Sequence, residues 1–534
     1  MKTKKAMKKI THIGMAALVA MGMLGTSCNK AESPEIETPE TQKENIVTLT
    51  TTVGFTADGT KALTGSGVKT FAEGETMAIY YWKNKGNDHE KAVSAPLTAG
   101  DITNGGKSAT FTFTLDNPYK DQSVVYIYPA AMANADFTPN YDALYNNQDG
   151  TLANLASNFD FCTKSGAWDG DNLPTLTLEN QLAILAVTLK NEAGTSDITS
   201  STTKLTVSDG TNTYNVNRSV AEGPIYVAIR PTSDATIDIT ATSDSKSYYK
   251  ILTTPKSYAA GNGYPVSWKM TQGANLSKLT AAYTAQNGDK LTGTLANNVK
   301  ISIADGATVT LDGVSINATG TWDSGNYAGI TCLGDATIIL SGTNTVKGFN
   351  EKYPGIQAAA GKTLTINGTG SLTASSNGYS AGIGGGSGVA CGNIEIQGGT
   401  ITATGGERGA GIGGAYNASC GNITISGGTV KATGGEHGAG IGGGRRFTAN
   451  VSCGNILISG GTITAKGGED AAGIGGGRGY NVYYQSSCGT ITITSGVTEV
   501  TATKGEYATN SIGAGSVGIC GTVTIEAGAN VTQN

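Results

Sequence analysis

Histidine is nearly absent from this chain of 534 residues: His12, His89 and His437 are the only three. That scarcity argues against a Ser-His-Asp or Cys-His catalytic constellation, since each needs an imidazole to carry a proton. Charge is sparse as well. Charged residues make up 14% of the chain and the formal net charge is -5, with no basic stripe, which excludes nucleic acid as the expected partner. Proline is limited to 12 residues, and no apolar run after residue 24 is long enough to span a bilayer. What the chain does have is 78 glycines and many threonines, a composition suited to packed strands and tight turns.

The glycines fall into a unit that recurs. AGIGGGSGVACGNIEIQGGTITATGGERG starts at Ala381, AGIGGAYNASCGNITISGGTVKATGGEHG starts at Ala410, and longer copies start at Ala439 and Ala472. More divergent copies start at Val299, Ala328 and Gly355. A period of about 30 residues with short alternating apolar runs is the mark of a solenoid. Within one copy Ile423 and Ile425, Val430 and Ala432, then Ala439 and Ile441 alternate with polar or glycine neighbours. This predicts three short strands per coil, separated by glycine corners, in a single-chain parallel β-helix over residues 278–534. Asn393, Asn422 and Asn455 occupy one position of successive coils and are expected to form an amide ladder. Cys391, Cys420, Cys453, Cys488 and Cys520 form a second ladder, expected to be free, buried and acting as small hydrophobes. Their spacing is not that of a zinc site.

Lys2, Lys4, Lys5, Lys8 and Lys9 precede a short apolar run over residues 13–24, followed by LGTSC ending at Cys28. Residues 1–27 therefore read as a secretory signal peptide. LGTSC resembles a bacterial lipobox, which implies that Cys28 is the lipidated first residue of a surface-exposed protein anchored in the cell outer membrane. The acidic stretch 28–45 cannot build a core and reads as a tether.

Residues 46–165 and 166–272 carry β-rich segments with turn signals about every 8 to 12 residues and no helical period. TKAL at residues 60–63, FAEGETMAIY at 71–80 and AAGNGYPV at 259–266 resemble the strand motifs of the fimbrillin-like (Mfa-like) surface lipoproteins. The resemblance implies an all-β chain with two tandem transthyretin-like β-sandwich domains ahead of the β-helix, and fimbrial subunits as partners. Polymerising members are matured by Arg-specific cleavage in the N-terminal domain, whereas the first arginine here is Arg218. This chain fits a fimbrial tip or a stand-alone position better than a place within a fibre.

Two sets of β-helix residues stand out. Loops of increasing length follow each GIGG segment and bring forward Tyr416, Arg445, Arg446, Phe447, Arg478, Tyr480, Tyr483 and Tyr484. Solenoid insertions project from one face, and aromatic platforms beside guanidinium groups suit sugars. The glycines between either serve tight corners beneath covering loops or form an open floor that a flat ligand could approach. On the other edge Asp323, Glu351, Glu407, Glu436, Glu469 and Glu506 recur at one corner, either as solvated turn residues or as a Ca²⁺ site. ADGATVTLDGVSI from Ala304 and GDATIILSGTNTVKG from Gly334 resemble the carbohydrate-binding β-helix family, which implies polysaccharide and calcium binding. The resulting expectation is a non-catalytic adhesin for a glycan or host-surface ligand; the alternative is a β-helix polysaccharide lyase or glycoside hydrolase using paired carboxylates.

Overall fold

The computed structural model describes residues 45–55, 70–83, 88–136, 138–159, 161–243, 246–296, 298–317, 326–448 and 452–534. Cys28, the signal peptide, nearly all of the tether, the TKAL motif and Asp323 lie outside the described residues. The chain is all-β: two sandwiches followed by a parallel β-helix. Among the described residues no helix is long and apolar enough to cross a membrane.

Period-two alternation builds the first sandwich. In Ser108–Asp116 the side chains of Ala109, Phe111, Phe113 and Leu115 are buried, and the threonines between them point the other way. This strand pairs antiparallel with Ile46–Phe55. The sheet runs in the order Asp88–Val93, Ala78–Lys83, Gln122–Tyr128, Cys162–Trp168, Leu176–Asn180, Ile46–Phe55, Ser108–Asp116, Ile102–Thr103. It folds over a core of Ile79, Tyr81, Phe111, Phe113, Tyr126 and Trp168. The domain boundary expected at 165/166 falls inside the strand Cys162–Trp168, and the next strand still belongs to the first sheet. Val53, Gly54 and Phe55 pair in parallel with Leu176, Thr177 and Leu178, so the first sandwich extends to Asn180.

The two sandwiches share one sheet's two faces. Ile79, Tyr81 and Tyr126 point into the first core, whereas Ala78, Tyr80 and Ile127 join a second core with Leu185, Val187, Val227 and Ile239. Consecutive residues of a strand point to opposite faces, so the same strands close both cores. The strand Gly263–Asn275 then leaves the second sandwich without a linker. Its first part pairs in parallel with Ile184 to Asn191, and its last three residues pair with Lys290, Leu291 and Thr292 of the first coil.

From there the coils stack in register. Ile394, Ile423, Ile456 and Ile491 form one column and Ile396, Ile425, Ile458 and Ile493 another, all buried. Each such isoleucine contributes about 1.5–3 kcal/mol relative to exposure. Ile383, Ile412, Ile441, Ile474 and Ile512 line the third face. The expected asparagine ladder is present as side chain to main chain bonds: Asn393 Oδ1 accepts from Asn422 N, Asn422 Oδ1 from Asn455 N and Asn455 Oδ1 from Thr490 N, each at 2.9 Å.

The cysteine ladder is in register too, with Cys453 opposite Cys488 and Cys488 opposite Cys520. All five were expected to be free; instead Cys488 and Cys520 are joined as a disulfide, with Cα atoms 4.6 Å apart. Cys391, Cys420 and Cys453 are free and buried. Strand spacing puts neighbouring cysteines within bridging distance, so a pair closes without moving the backbone.

Candidate binding face

At the corner after each threonine-rich strand the chain places a glutamate and then a residue that differs from coil to coil: Glu407-Arg408, Glu436-His437, Glu469-Asp470 and Glu506-Tyr507. The backbone locks these positions into columns. His437 N donates to Glu407 O at 2.9 Å, Asp470 N to Glu436 O at 3.3 Å, and Tyr507 N to Glu469 O at 2.8 Å. The four glutamates are exposed, whereas His437 and Asp470 are buried.

The loop residues dock one coil further along. Tyr416 N donates to Tyr379 O at 3.0 Å, Arg445 N to Arg408 O at 2.9 Å and Arg478 N to His437 O at 3.0 Å. This diagonal register brings the predicted aromatic and basic residues against the corner residues. The Arg408 guanidinium lies 4.4 Å from the Tyr379 ring centre and 4.9 Å from that of Tyr416, while its Nε pairs with Glu407 Oε1 at 3.0 Å. Tyr416 and Phe447 are 6.4 Å apart, Phe447 and Tyr480 4.4 Å, and Arg445 is 5.8 Å from the Phe447 ring. Tyr379, Arg408, Tyr416, Phe447 and Tyr480 thus form a continuous aromatic and guanidinium ribbon across successive coils. Beyond it Asn481 Oδ1 accepts from both Tyr483 N and Tyr484 N, closing a turn that leaves Tyr483 84% exposed and Tyr480 48% exposed.

Not every predicted residue is available to a ligand. Arg446 is buried and donates from Nη1 to Gln485 O, so it ties the tyrosine loop to the coil. Arg445 is half-buried, with its guanidinium 5.8 Å from the Phe447 ring centre. Burial, with Arg408 and Arg478 close by, pushes its pKa below the ordinary arginine value. The glycine floor is closed. Gly384 to Gly386, Gly413, Gly414, Gly442 to Gly444 and Gly475 to Gly477 are all buried, because each coil packs directly on the next. Gly442 has φ +131°, and a Cβ there would meet Gly475 O at 2.0 Å.

Of the four glutamates expected to hold a metal, Glu407 and Glu436 approach His437, with one ligand atom from each of the three within 4.8 Å of the others. Glu469 and Glu506 fall outside that group. Asp470, Tyr379 and Arg408 did not figure among the sequence-predicted site residues, although the variable position after each corner residue marked them. A cavity of about 280 Å³ near Tyr248, Tyr249, Lys278 and Tyr283 shares no residue with this face.

A family model described as a β-helix repeat matches residues 364–387, 394–416, 423–445 and 456–478, coinciding with the coils that carry the face. No curated protein matches the chain. Similar solved structures include a fimbrial assembly protein from Parabacteroides distasonis, at 12% identity and TM-score 0.25 over 43% of this chain and 96% of that one. A candidate cell adhesion protein from Bacteroides ovatus aligns at 11% identity and TM-score 0.27 over 43% and 96%. Another from Bacteroides uniformis aligns at 14% identity and TM-score 0.24 over 42% and 95%.

Proposed function

We propose that this chain is a non-catalytic cell-surface lipoprotein, a fimbrial tip-type or stand-alone adhesin, whose β-helix binds a glycan or host-surface ligand. The observation that carries the reading is the ribbon from Tyr379 to Tyr480, which presents aromatic faces and guanidinium edges along successive coils. Sugar rings stack on such faces while their hydroxyls meet the guanidinium donors. In this reading Cys28 anchors the protein in the outer membrane, residues 28–45 form the tether, and the sandwiches lift the β-helix outward. A glycan array probed with the full chain tests it, together with adhesion to host cells. Absence of binding in both overturns it.

One observation favours the enzymatic alternative. His437 Nδ1 lies 2.8 Å from Asp470 Oδ2, and Arg478 Nη1 lies 3.0 Å from the same oxygen, beside Glu436 and Glu407. A buried imidazole between acidic and basic groups could serve a polysaccharide lyase or hydrolase. Release of soluble products from any polysaccharide that the chain binds would establish that alternative.

A further inference from the structure

The corner around His437 brings an imidazole and three carboxylates together, with Arg478 paired to Asp470 and Arg408 to Glu407. His437 is 5% exposed, and its Nδ1 faces Asp470 Oδ2 at 2.8 Å. Asp470 is itself buried and also accepts from Arg478 Nη1 at 3.0 Å. Arg478 Nη1 also lies 3.5 Å from Nδ1, but the 2.8 Å contact with Asp470 is the shorter. A carboxylate can only accept, so Nδ1 is the nitrogen that carries the proton in the neutral ring, and Nε2 keeps its electron pair. That pair points at another acceptor, Glu436 Oε1, at 3.2 Å. Glu407, from the preceding coil, brings a second carboxylate into the same space.

We propose that His437 Nε2 and one carboxylate oxygen each from Glu407 and Glu436 form a divalent-metal site of the zinc type. Zinc bonds to nitrogen and oxygen of about 2.0–2.1 Å make a tetrahedral ligand-to-ligand edge of about 3.3 Å, and the His437 to Glu436 separation is 3.2 Å. Calcium takes six to eight oxygen ligands, whereas an imidazole with two carboxylates suits zinc and its neighbours. Three protein ligands leave a fourth position, on the side where Glu436 is open to solvent with a side-chain exposure of 49%. The other half of the arrangement also fits: the ligating imidazole is oriented by Asp470, and Arg478 holds Asp470 in place. The inference goes beyond the adhesin reading and does not rest on it.

The test is zinc titration by calorimetry on the full chain after chelator treatment, with cobalt substitution to report ligand geometry by visible absorption. The wild type is expected to take one zinc per chain and to gain thermal stability in its presence. Glu436→Gln, at an exposed position that leaves the fold intact, and His437→Gln should abolish both effects. Asp470→Asn should weaken binding about 10- to 100-fold through loss of the orienting carboxylate. Glu469→Gln, one coil away on the same edge, should bind as the wild type does. The proposal is overturned if the stripped chain takes up neither zinc nor cobalt, which would leave a proton as the bridge between His437 and Glu436. It is equally overturned if Glu436→Gln and His437→Gln retain wild-type affinity, or if Glu469→Gln loses it.

Discussion

Phe447 and Tyr480, from loops of consecutive coils, meet edge to face with ring centroids 4.4 Å apart. The contact shows how a solenoid makes a surface. Stacking brings loops of different length and composition to one spacing, so that residues far apart in sequence become neighbours in a row. Such a pair contributes about 0.5–1.5 kcal/mol beyond its buried area. Tyr480 is therefore held, while Tyr483 stands free at 84% exposure.

Replacing Tyr480, Tyr483 and Tyr484 together with Ala is expected to abolish glycan or host-surface adhesion while lowering stability by no more than about 1–2 kcal/mol. Ile423→Ala and Ile425→Ala, both in the buried columns, should do the reverse, each costing about 2–5 kcal/mol. Melting and adhesion measured side by side separate the two. If the tyrosine variant unfolds as readily as the isoleucine variants, the loops are structural cover.

The two adjacent arginines should behave differently. Arg445→Ala removes a half-buried guanidinium beside the Phe447 ring, and should weaken binding with little change in melting temperature. Arg446→Ala removes the tie to Gln485 O, and should lower stability by about 1–3 kcal/mol. Its effect on binding would then arise through a displaced tyrosine loop. Equal effects of both variants on melting would argue against this division of roles.

The β-helix could be read from the sequence because its evidence is local and repeated: each Ile-x-Ile pair, each asparagine corner and each glycine pair recurs at the same phase. Three features could not be read in that way. The 165/166 boundary falls inside the strand Cys162–Trp168, in which only the two end residues are fully buried, so its sequence carries no alternation that marks it as part of the first core. The role of the GIGG glycines stayed open between corner and floor, because spacing alone does not distinguish a glycine that admits a ligand from one that admits the next coil. The sequence marks Glu407 and Glu436 at one corner but does not join His437 and Asp470 to them, because the coils differ in length and only the backbone register shows which side chains meet.

The stacking requirement at the glycines can be measured. Gly442→Ala forces a side chain onto φ +131° and into Gly475 O, and should destabilise the β-helix by at least about 1–3 kcal/mol. Gly388 also has positive φ, +70°, but a Cβ there meets nothing within 4 Å. Gly388→Ala should therefore cost only about 1 kcal/mol. Equal losses in chemical denaturation would mean that backbone conformation, rather than coil contact, sets the need for glycine.

Cys28→Ala should release the protein from the membrane fraction, because the acyl chains attached at a lipobox cysteine supply the anchoring free energy. Unchanged fractionation of the variant would remove the lipid anchor from the account.

The cysteine ladder makes the last prediction. Among the described residues Cys162, Cys332, Cys391, Cys420 and Cys453 are buried and outside any disulfide, and Cys488 is bonded to Cys520. Burial pushes the Cys332 thiol up to about 12, and the flanking Cys391 and Cys453 thiols, followed by burial, push Cys420 well up. Raised values leave little thiolate at neutral pH, so native-state labelling should be slow. In denaturant without reductant these five cysteines should label, and reductant should expose Cys488 and Cys520 as well. No gain on reduction would show a fully reduced ladder; fewer than five labels beforehand would show additional pairs. The bond closes a separation of 32 residues, for which chain entropy gives a stabilisation of about 3–4 kcal/mol. Replacing Cys488 and Cys520 together with Ser should lower the stability of the final coils by about that amount, while Cys391→Ser, which leaves the disulfide intact, should cost only the burial of one hydroxyl, about 1–3 kcal/mol.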